Sequence, residues 1–136
     1  MIPILDIMIG DWVYDGDKTQ FPMYVRTIGE DYVYLDFPEN EGMDWESTPD
    51  ELQGIPLTPE LMTSIGFTYK DGLWRHRINR RSVVVKIETG FAGVEAFDDK
   101  LMDSRGWSHN IKYLHELQNF YRIIARKEIN LPETIL

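Results

Sequence analysis

The sequence contains no cysteine, which excludes both a disulfide framework and a zinc site built from thiolates. It also lacks any apolar run near the roughly 18 residues that a membrane-spanning helix needs. The first ten residues include Asp6 and have neither the basic segment nor the small-residue cleavage site of a secretory signal. A chain of 136 residues is long enough to bury a core without covalent cross-links. We therefore expect a cytoplasmic protein.

Basic residues are scarce in the first half of the chain. Residues 1–60 contain Lys18 and Arg26 against 14 acidic residues, a formal charge of −12. Residues 61–136 carry a charge of +3, and the whole chain carries −9. A strongly negative surface repels the phosphate backbone, so we expect no binding to duplex DNA. The same surface suits a basic partner, or it serves only to keep the protein soluble.

Short strands separated by turns are predicted for residues 1–57. Turn sequences such as Asp15-Gly16-Asp17 and Gly29-Glu30-Asp31 separate segments in which apolar and polar residues alternate. The clearest strand is 32–37, which ends at Pro38, and 48–51 has the composition of a single helical turn. Strands that recur at spacings near ten residues predict an SH3-like small β-barrel subdomain over 1–57.

An α+β subdomain is predicted for residues 58–136, forming one compact unit with the barrel. Thr58-Pro59-Glu60 has the composition of a helix start, and Gly66 that of a left-handed helix end. Asp71-Gly72 predicts a type I′ turn between two strands. Two further strands complete a predicted four-stranded antiparallel sheet. A C-terminal helix from about Asn110 to Lys127 is expected to cover it, because apolar residues recur there at helical spacing: Ile111, Leu114, Leu117, Tyr121 and Ile124.

A basic hairpin is the most distinctive feature of the second half, and it contains four arginines: Arg75, Arg77, Arg80 and Arg81. On a strand, the first two share one face while Trp74, His76 and Ile78 share the other, so we expect exposed arginines. Four guanidinium groups on one hairpin predict a site that binds phosphates or an acidic protein surface. The alternative is a solvated edge strand whose charge protects it from aggregation.

Aromatic residues cluster in the first half: Trp12, Tyr14, Phe21, Tyr24, Tyr32, Tyr34, Phe37 and Trp45. Some of them must fill the core. Exposed rings beside acidic loops can hold a cationic side chain by cation–π contact. Tyr34 and Trp45 are the candidate binding residues of this type.

Catalytic and metal-binding patterns are missing. His115-Glu116-Leu117-Gln118-Asn119 begins like a zinc-protease motif, but the second metal ligand is replaced by Asn119. We expect His115 at the edge of a helix interface. No serine lies in a nucleophile turn, and no glycine-rich phosphate loop precedes a helix. The sequence predicts no catalytic residue, no metal and no cofactor, with an enzyme that uses an unlocated carboxylate pair as the remaining alternative.

Three stretches carry a resemblance to a known group of proteins: 9–13, 55–61 with Ile65-Gly66-Phe67, and 113–119. They resemble a family of uncharacterised small proteins from phages and mobile elements of Bacteroides-type bacteria. The resemblance implies a phage or prophage protein in the cytoplasm of a bacterial host cell. By analogy it favours a non-enzymatic binding protein that engages a host protein or ribonucleoprotein, such as a defence-system component that it inhibits. The alternative is a sponge that holds a small anionic ligand, such as a nucleotide, through the four arginines.

Overall fold

Within the described part of the chain, the fold consists of two five-stranded antiparallel sheets and two α-helices, which confirms the predicted α+β class. The computed structural model describes residues 1–16, 21–40, 43–78, 81–88, 91–98 and 109–131. For residues 78, 81, 88, 91–98, 109, 110 and 124 it describes only the backbone. None of the helices in these ranges is long and apolar enough to cross a membrane.

Sheet I is formed by the first half of the chain, after a short 3-10 helix at Ile4–Asp6. Its strands are β1 (Trp12–Asp15), β2 (Met23–Ile28), β3 (Val33–Asp36), β4 (Trp45–Ser47) and β5 (Leu52–Gly54). The first four form a meander, and β5 returns to pair with β1, which gives the order β4-β3-β2-β1-β5. Since β4 and β5 lie at opposite edges, the described residues form an open sheet and no closed barrel.

The segment 48–51, predicted as a helical turn, is a hydrogen-bonded turn that leads directly into β5. The backbone N–H of Glu51 donates to the carbonyl of Thr48 at 3.0 Å, and that of Leu52 donates to the carbonyl of Pro49 at 3.3 Å. The prediction missed β5 itself, because three residues are too few to show an alternating pattern.

The alternation of apolar residues in sheet I places one set of them together on the same face. This face forms a small core together with the N-terminal segment: Ile2, Ile7, Val13, Met23, Val25, Val33, Leu35 and Leu52. A break in the β2–β3 register between Val25 and Thr27 marks a β-bulge. Beyond the bulge, Tyr34 lies opposite Thr27 on the other face of the sheet.

Helix α1 (Pro59–Ser64) connects the two sheets, and both of its predicted ends are confirmed. The Thr58 hydroxyl accepts a hydrogen bond from the backbone N–H of Leu61 at 3.2 Å. Gly66 follows the helix with φ = 95°, a left-handed conformation that is strained for residues with a side chain.

Sheet II has one strand more than the four predicted. Its strands are β6 (Thr68–Lys70), β7 (Leu73–Ile78), β8 (Arg81–Glu88), β9 (Phe91–Asp98) and β10 (His109–Ile111), in sequential order across the sheet. The type I′ turn between β6 and β7 is confirmed, since Asp71 and Gly72 have φ values of 55° and 81°.

Helix α2 (Leu114–Ala125) starts four residues later than predicted. The helix starts later because residues 109–111 instead form strand β10, which pairs with β9. The Glu116 carboxylate caps the start of the helix by accepting hydrogen bonds from the backbone N–H groups of Lys112 (3.0 Å) and Tyr113 (3.2 Å). Arg126 ends the helix in a left-handed conformation with φ = 56°.

A second, larger core contains residues from both halves of the chain. Trp12 of sheet I packs in it with apolar residues of α1, β7, β8 and α2, including Met62, Trp74, Val85, Leu117 and Tyr121. Helix α2 also forms hydrogen bonds to the start of β1 and to the segment before it. The Gln118 side chain accepts from the backbone N–H of Trp12 (2.8 Å) and donates to the carbonyl of Gly10 (3.0 Å). The boundary proposed at residue 57 stays a prediction.

Candidate functional site

A tyrosine–carboxylate face, made of Tyr32, Tyr34, Asp44 and Glu46, occupies the β3–β4 side of sheet I. Antiparallel pairing places Tyr34 directly opposite Glu46, on the face away from the small core. The ring of Tyr32 meets that of Tyr34 edge to face, with 5.1 Å between centroids. Tyr32 is 37% exposed and Tyr34 is half-buried, so both rings present area to solvent.

The electrostatics of this face are negative. The Glu46 carboxylate is the main cause that raises the pKa of Tyr34 above its usual value, followed by burial and by Tyr32 and Asp44, while Arg26 acts in the opposite direction. Arg26 forms ion pairs with Asp44 and, at 3.6 Å, with Asp36. Arg26 thus has two carboxylate partners, Asp36 and Asp44, while Glu46 acts on the hydroxyl of Tyr34.

Asp36 lies two residues after Tyr34 at the end of β3, and its side-chain carboxyl group is kept ionised by its surroundings. Burial acts to raise its pKa, but hydrogen bonds from the Asn40 amide (2.9 Å) and the Phe37 backbone N–H (2.8 Å) outweigh burial and lower the pKa below 3.8. The Tyr24 hydroxyl and Arg26 act in the same direction. The carboxylate therefore keeps its negative charge throughout the neutral range.

Trp45, the second predicted aromatic, does not belong to this face. It pairs with Leu35 and turns to the core side of the sheet, where it packs in an edge-to-face cluster with Phe21 and Phe37. Its indole N–H donates to the Asp15 carboxylate at 2.8 Å. Its side chain fills a packing and hydrogen-bonding role, and the structure does not bring it together with Tyr34.

The arginine hairpin is exposed where its side chains are described. Arg75 and Arg77 are exposed on one face of β7, while Trp74 is buried and His76 half-buried on the other, as the alternation predicts. The edge-strand interpretation is wrong, because β7 lies between β6 and β8. Arg80 lies outside the described residues. The backbone of Arg81 pairs with Ile78, and its side chain is not described.

His115 is buried, and the expectation that it lies at the edge of the interface is wrong. It is 3% exposed, and its Nδ1 atom has no hydrogen-bond partner within the described part of the chain. Burial lowers its pKa below 6.5, although Glu116, Asp11 and Asp6 act to raise it. Asn119 does not supply a metal ligand, since its amide donates to the carbonyl of Asp6 at 3.1 Å. Within the described ranges, no three His, Asp or Glu side chains form a metal-binding group.

A buried ion pair that the sequence did not reveal joins the residue before β1 to α2. Asp11 is fully buried and accepts from Arg122 at 2.5 Å and from the backbone N–H of Met8 at 2.9 Å. Burial raises the pKa of Asp11, and Arg122 limits that increase. Glu128 accepts from the Arg122 Nε at 2.8 Å. Asp11 and Arg122 are 111 positions apart, so no local pattern predicts the pair, and both groups are engaged in holding the fold.

Comparisons with protein-family models, with curated proteins and with solved structures find no match for this chain. The features that bear on function are therefore its own surfaces. Of these, the tyrosine–carboxylate face brings two tyrosine rings that present area to solvent together with the carboxylates of Asp44 and Glu46 on paired strands of sheet I.

Proposed function

We propose that this chain is a non-enzymatic binding protein that engages a positively charged segment of a host macromolecule through the tyrosine–carboxylate face. The observation that carries the proposal is the position of Tyr34 between the ring of Tyr32 and the carboxylate of Glu46. A lysine or arginine side chain placed there gains cation–π contact with the rings and charge-assisted hydrogen bonds to the carboxylates. The charge of −12 on residues 1–60 also accelerates its approach.

The wider setting of the proposal comes from the sequence resemblance and the strand order. A phage or prophage protein of this kind engages a host protein or ribonucleoprotein, with a defence-system component as the favoured target. An SH3-like architecture for residues 1–57 is part of the proposal, and it is supported by a four-strand meander whose fifth strand returns to the first. An enzyme that uses a carboxylate pair remains the alternative class.

A titration with a basic peptide tests the proposal. We would add an unstructured peptide of alternating arginine and glycine to the isotopically labelled protein and follow amide and tyrosine ring signals by NMR. Shifts should concentrate at residues 32–36 and 44–47. Tyr34→Ala should weaken binding roughly threefold or more, because one cation–π contact is lost. Glu46→Gln should also weaken it.

Tyr69→Ala is the matched control, since Tyr69 is 61% exposed on β6 of sheet II, outside the proposed face. Equal binding by the Tyr34, Glu46 and Tyr69 variants would overturn the proposal. The same would follow if signal changes concentrated on sheet II.

Anion binding by the arginine hairpin is the second candidate function. It is favoured by one observation, the exposure of Arg75 and Arg77 on the same face of β7. Replacing Arg75, Arg77, Arg80 and Arg81 with alanine should abolish the binding of ATP measured by calorimetry. Exposed charges each contribute at most about 1 kcal/mol to stability, so the melting temperature should change little. Unchanged ATP affinity in this variant would rule the candidate out.

A further inference from the structure

Two adjoining grooves lie where the N-terminal segment meets helix α2. The first, of about 470 Å³, runs between residues 1–3, β5 and the start of α2. The second, of about 400 Å³, runs between residues 5–8 and the α2 side chains Phe120 and Ile123. Asp6 and Glu116 line both grooves, so the two adjoin at these side chains, and we term the pair the N-terminal trough.

Apolar side chains are exposed around the N-terminal trough. Leu5 is 94% exposed, Ile123 is 74% exposed and Met8 is 47% exposed, and all three line the second groove. Met1, which lines the first groove, is 77% exposed. A contiguous group of large apolar side chains that remains in water is typical of an interaction surface.

The trough is also acidic. Among the residues that the structure describes, neither lining includes a lysine or arginine side chain, whereas Asp6 and Glu116 line both grooves. Tyr113 is 36% exposed in the first groove and stacks on His115 at 5.9 Å between centroids. The Tyr113 ring occupies space that Gly54 leaves open, because a Cβ at that position would collide with the ring.

Hydrogen bonds hold the N-terminal segment against α2 and so fix the shape of the trough. The Asn119 amide donates to the carbonyl of Asp6 at 3.1 Å, and Gln118 donates to the carbonyl of Gly10 at 3.0 Å. Arg122 adds the buried bond to Asp11. A surface held in this way loses little conformational entropy when it binds, which favours affinity.

We infer that the N-terminal trough docks an amphipathic segment of a partner protein that carries basic side chains beside apolar ones. Its apolar side chains contact Leu5, Met8 and Ile123, and a lysine or arginine lies between Asp6, Glu116 and the Tyr113 ring. A second copy of this chain is a poorer occupant, since it would bring a second acidic wall against the first. The inference does not rest on the tyrosine–carboxylate face, with which the trough shares no residue.

The test uses a defined peptide. A fluorescent peptide of about 15 residues, with leucine and lysine at amphipathic helical spacing, is titrated with the full chain by fluorescence anisotropy. A second peptide carries glutamate in place of each lysine. We expect the lysine peptide to bind at least tenfold more tightly than the glutamate peptide.

Variants then locate the binding. Leu5→Ser and Ile123→Ser each remove an exposed apolar contact, and each should weaken the lysine peptide about tenfold. Asp6→Asn should weaken it and reduce its salt dependence. Tyr69→Ser and Glu60→Gln are the matched controls, an exposed apolar and an exposed acidic residue elsewhere on the chain, and they should leave affinity unchanged.

Three outcomes would overturn the inference. Equal affinity in all five variants would mean that the peptide is attracted only by net negative charge. Tight binding of the glutamate peptide would show that Asp6 and Glu116 do not select a basic partner. Concentration-dependent dimerisation that Leu5→Ser and Ile123→Ser abolish, measured by sedimentation, would assign the trough to a second copy of the chain.

Discussion

Glu39 holds a backbone conformation that residues with side chains rarely adopt. Its φ is 76°, it follows Pro38, and the Asn40 N–H donates to the Phe37 carbonyl at 3.1 Å, the geometry of a type II turn. Glycine is favoured at this turn position. Glu39→Gly should therefore raise the free energy of unfolding by about 0.5–1 kcal/mol in urea denaturation. Glu39→Ala is the control for the lost charge, and an equal gain with alanine would contradict the conformational reason.

Arg122 compensates the fully buried carboxylate of Asp11. Arg122→Met keeps most of the side-chain volume but leaves Asp11 buried without its counter-ion, and should destabilise the protein by about 3 kcal/mol. Adding Asp11→Asn removes the buried charge and should recover part of this loss. Arg126→Met, at the exposed position directly after the same helix, should stay within about 0.5 kcal/mol of the wild type. A loss in the double variant as large as in Arg122→Met would disprove the pairing argument.

Gly66 shows how a single backbone conformation ends an element. With φ = 95°, an alanine there is strained, although its Cβ would lie 3.7 Å from the nearest His76 ring atom, an ordinary contact. Gly66→Ala should lower the free energy of unfolding by about 1 kcal/mol in chemical denaturation. Gly66→Asn should cost less, because asparagine tolerates the left-handed region better. A neutral alanine variant would contradict the assignment.

Elements that depend on neighbouring residues were predictable, and elements that depend on distant pairing were not. The Thr58 cap and the Asp71-Gly72 turn follow from local chemistry. The sequence pattern places Ile111 in the helix because this residue fits the helical period, but the structure places it in strand β10, which pairs with β9. Strand β5 depends on pairing with β1, some 40 residues earlier in the chain.

The functional surfaces also divide into those that a local sequence pattern predicts and those that depend on contacts between distant parts of the chain. Alternation predicted the exposure of Arg75 and Arg77. Tyr34 and Trp45 were candidates only because aromatic residues cluster in the first half, and that clustering does not show on which face of the sheet each ring lies, which depends on strand register. The N-terminal trough was missed because it joins residues 1–8 to α2, more than 100 residues away along the chain.

At the scale of the whole molecule, the charge layout governs nucleic-acid binding. Residues 1–60 carry −12, and the entire chain carries −9. Random duplex DNA should therefore bind weakly or not at all near physiological salt, as measured by a fluorescence titration. RNA differs, because unpaired bases can stack on exposed aromatic rings. Tight duplex binding that weakens steeply with salt would contradict this expectation and favour the arginine hairpin as a phosphate site.

The burial of His115 links the stability of the fold to pH. Its folded-state pKa lies below 6.5 because burial outweighs the nearby carboxylates of Glu116, Asp11 and Asp6. In the unfolded chain His115 has its ordinary pKa, so below pH 6.5 the unfolded state binds more protons than the folded state. The contribution of His115 to stability is therefore complete above pH 6.5 and is lost as pH falls through the lower, folded-state pKa.

A neutral replacement isolates this contribution from the many carboxylates that also titrate at acidic pH. His115→Gln keeps a polar side chain at the same helical position but has no proton to gain. Urea denaturation of the wild type and of His115→Gln is measured at intervals from pH 8 to pH 4.5. The stability difference between the two proteins should be constant above pH 7 and should move in favour of the variant as pH falls below 6.5. A difference that stays constant over the whole range would show that His115 is not protonated more readily in the unfolded chain, which would contradict its position in the buried interface.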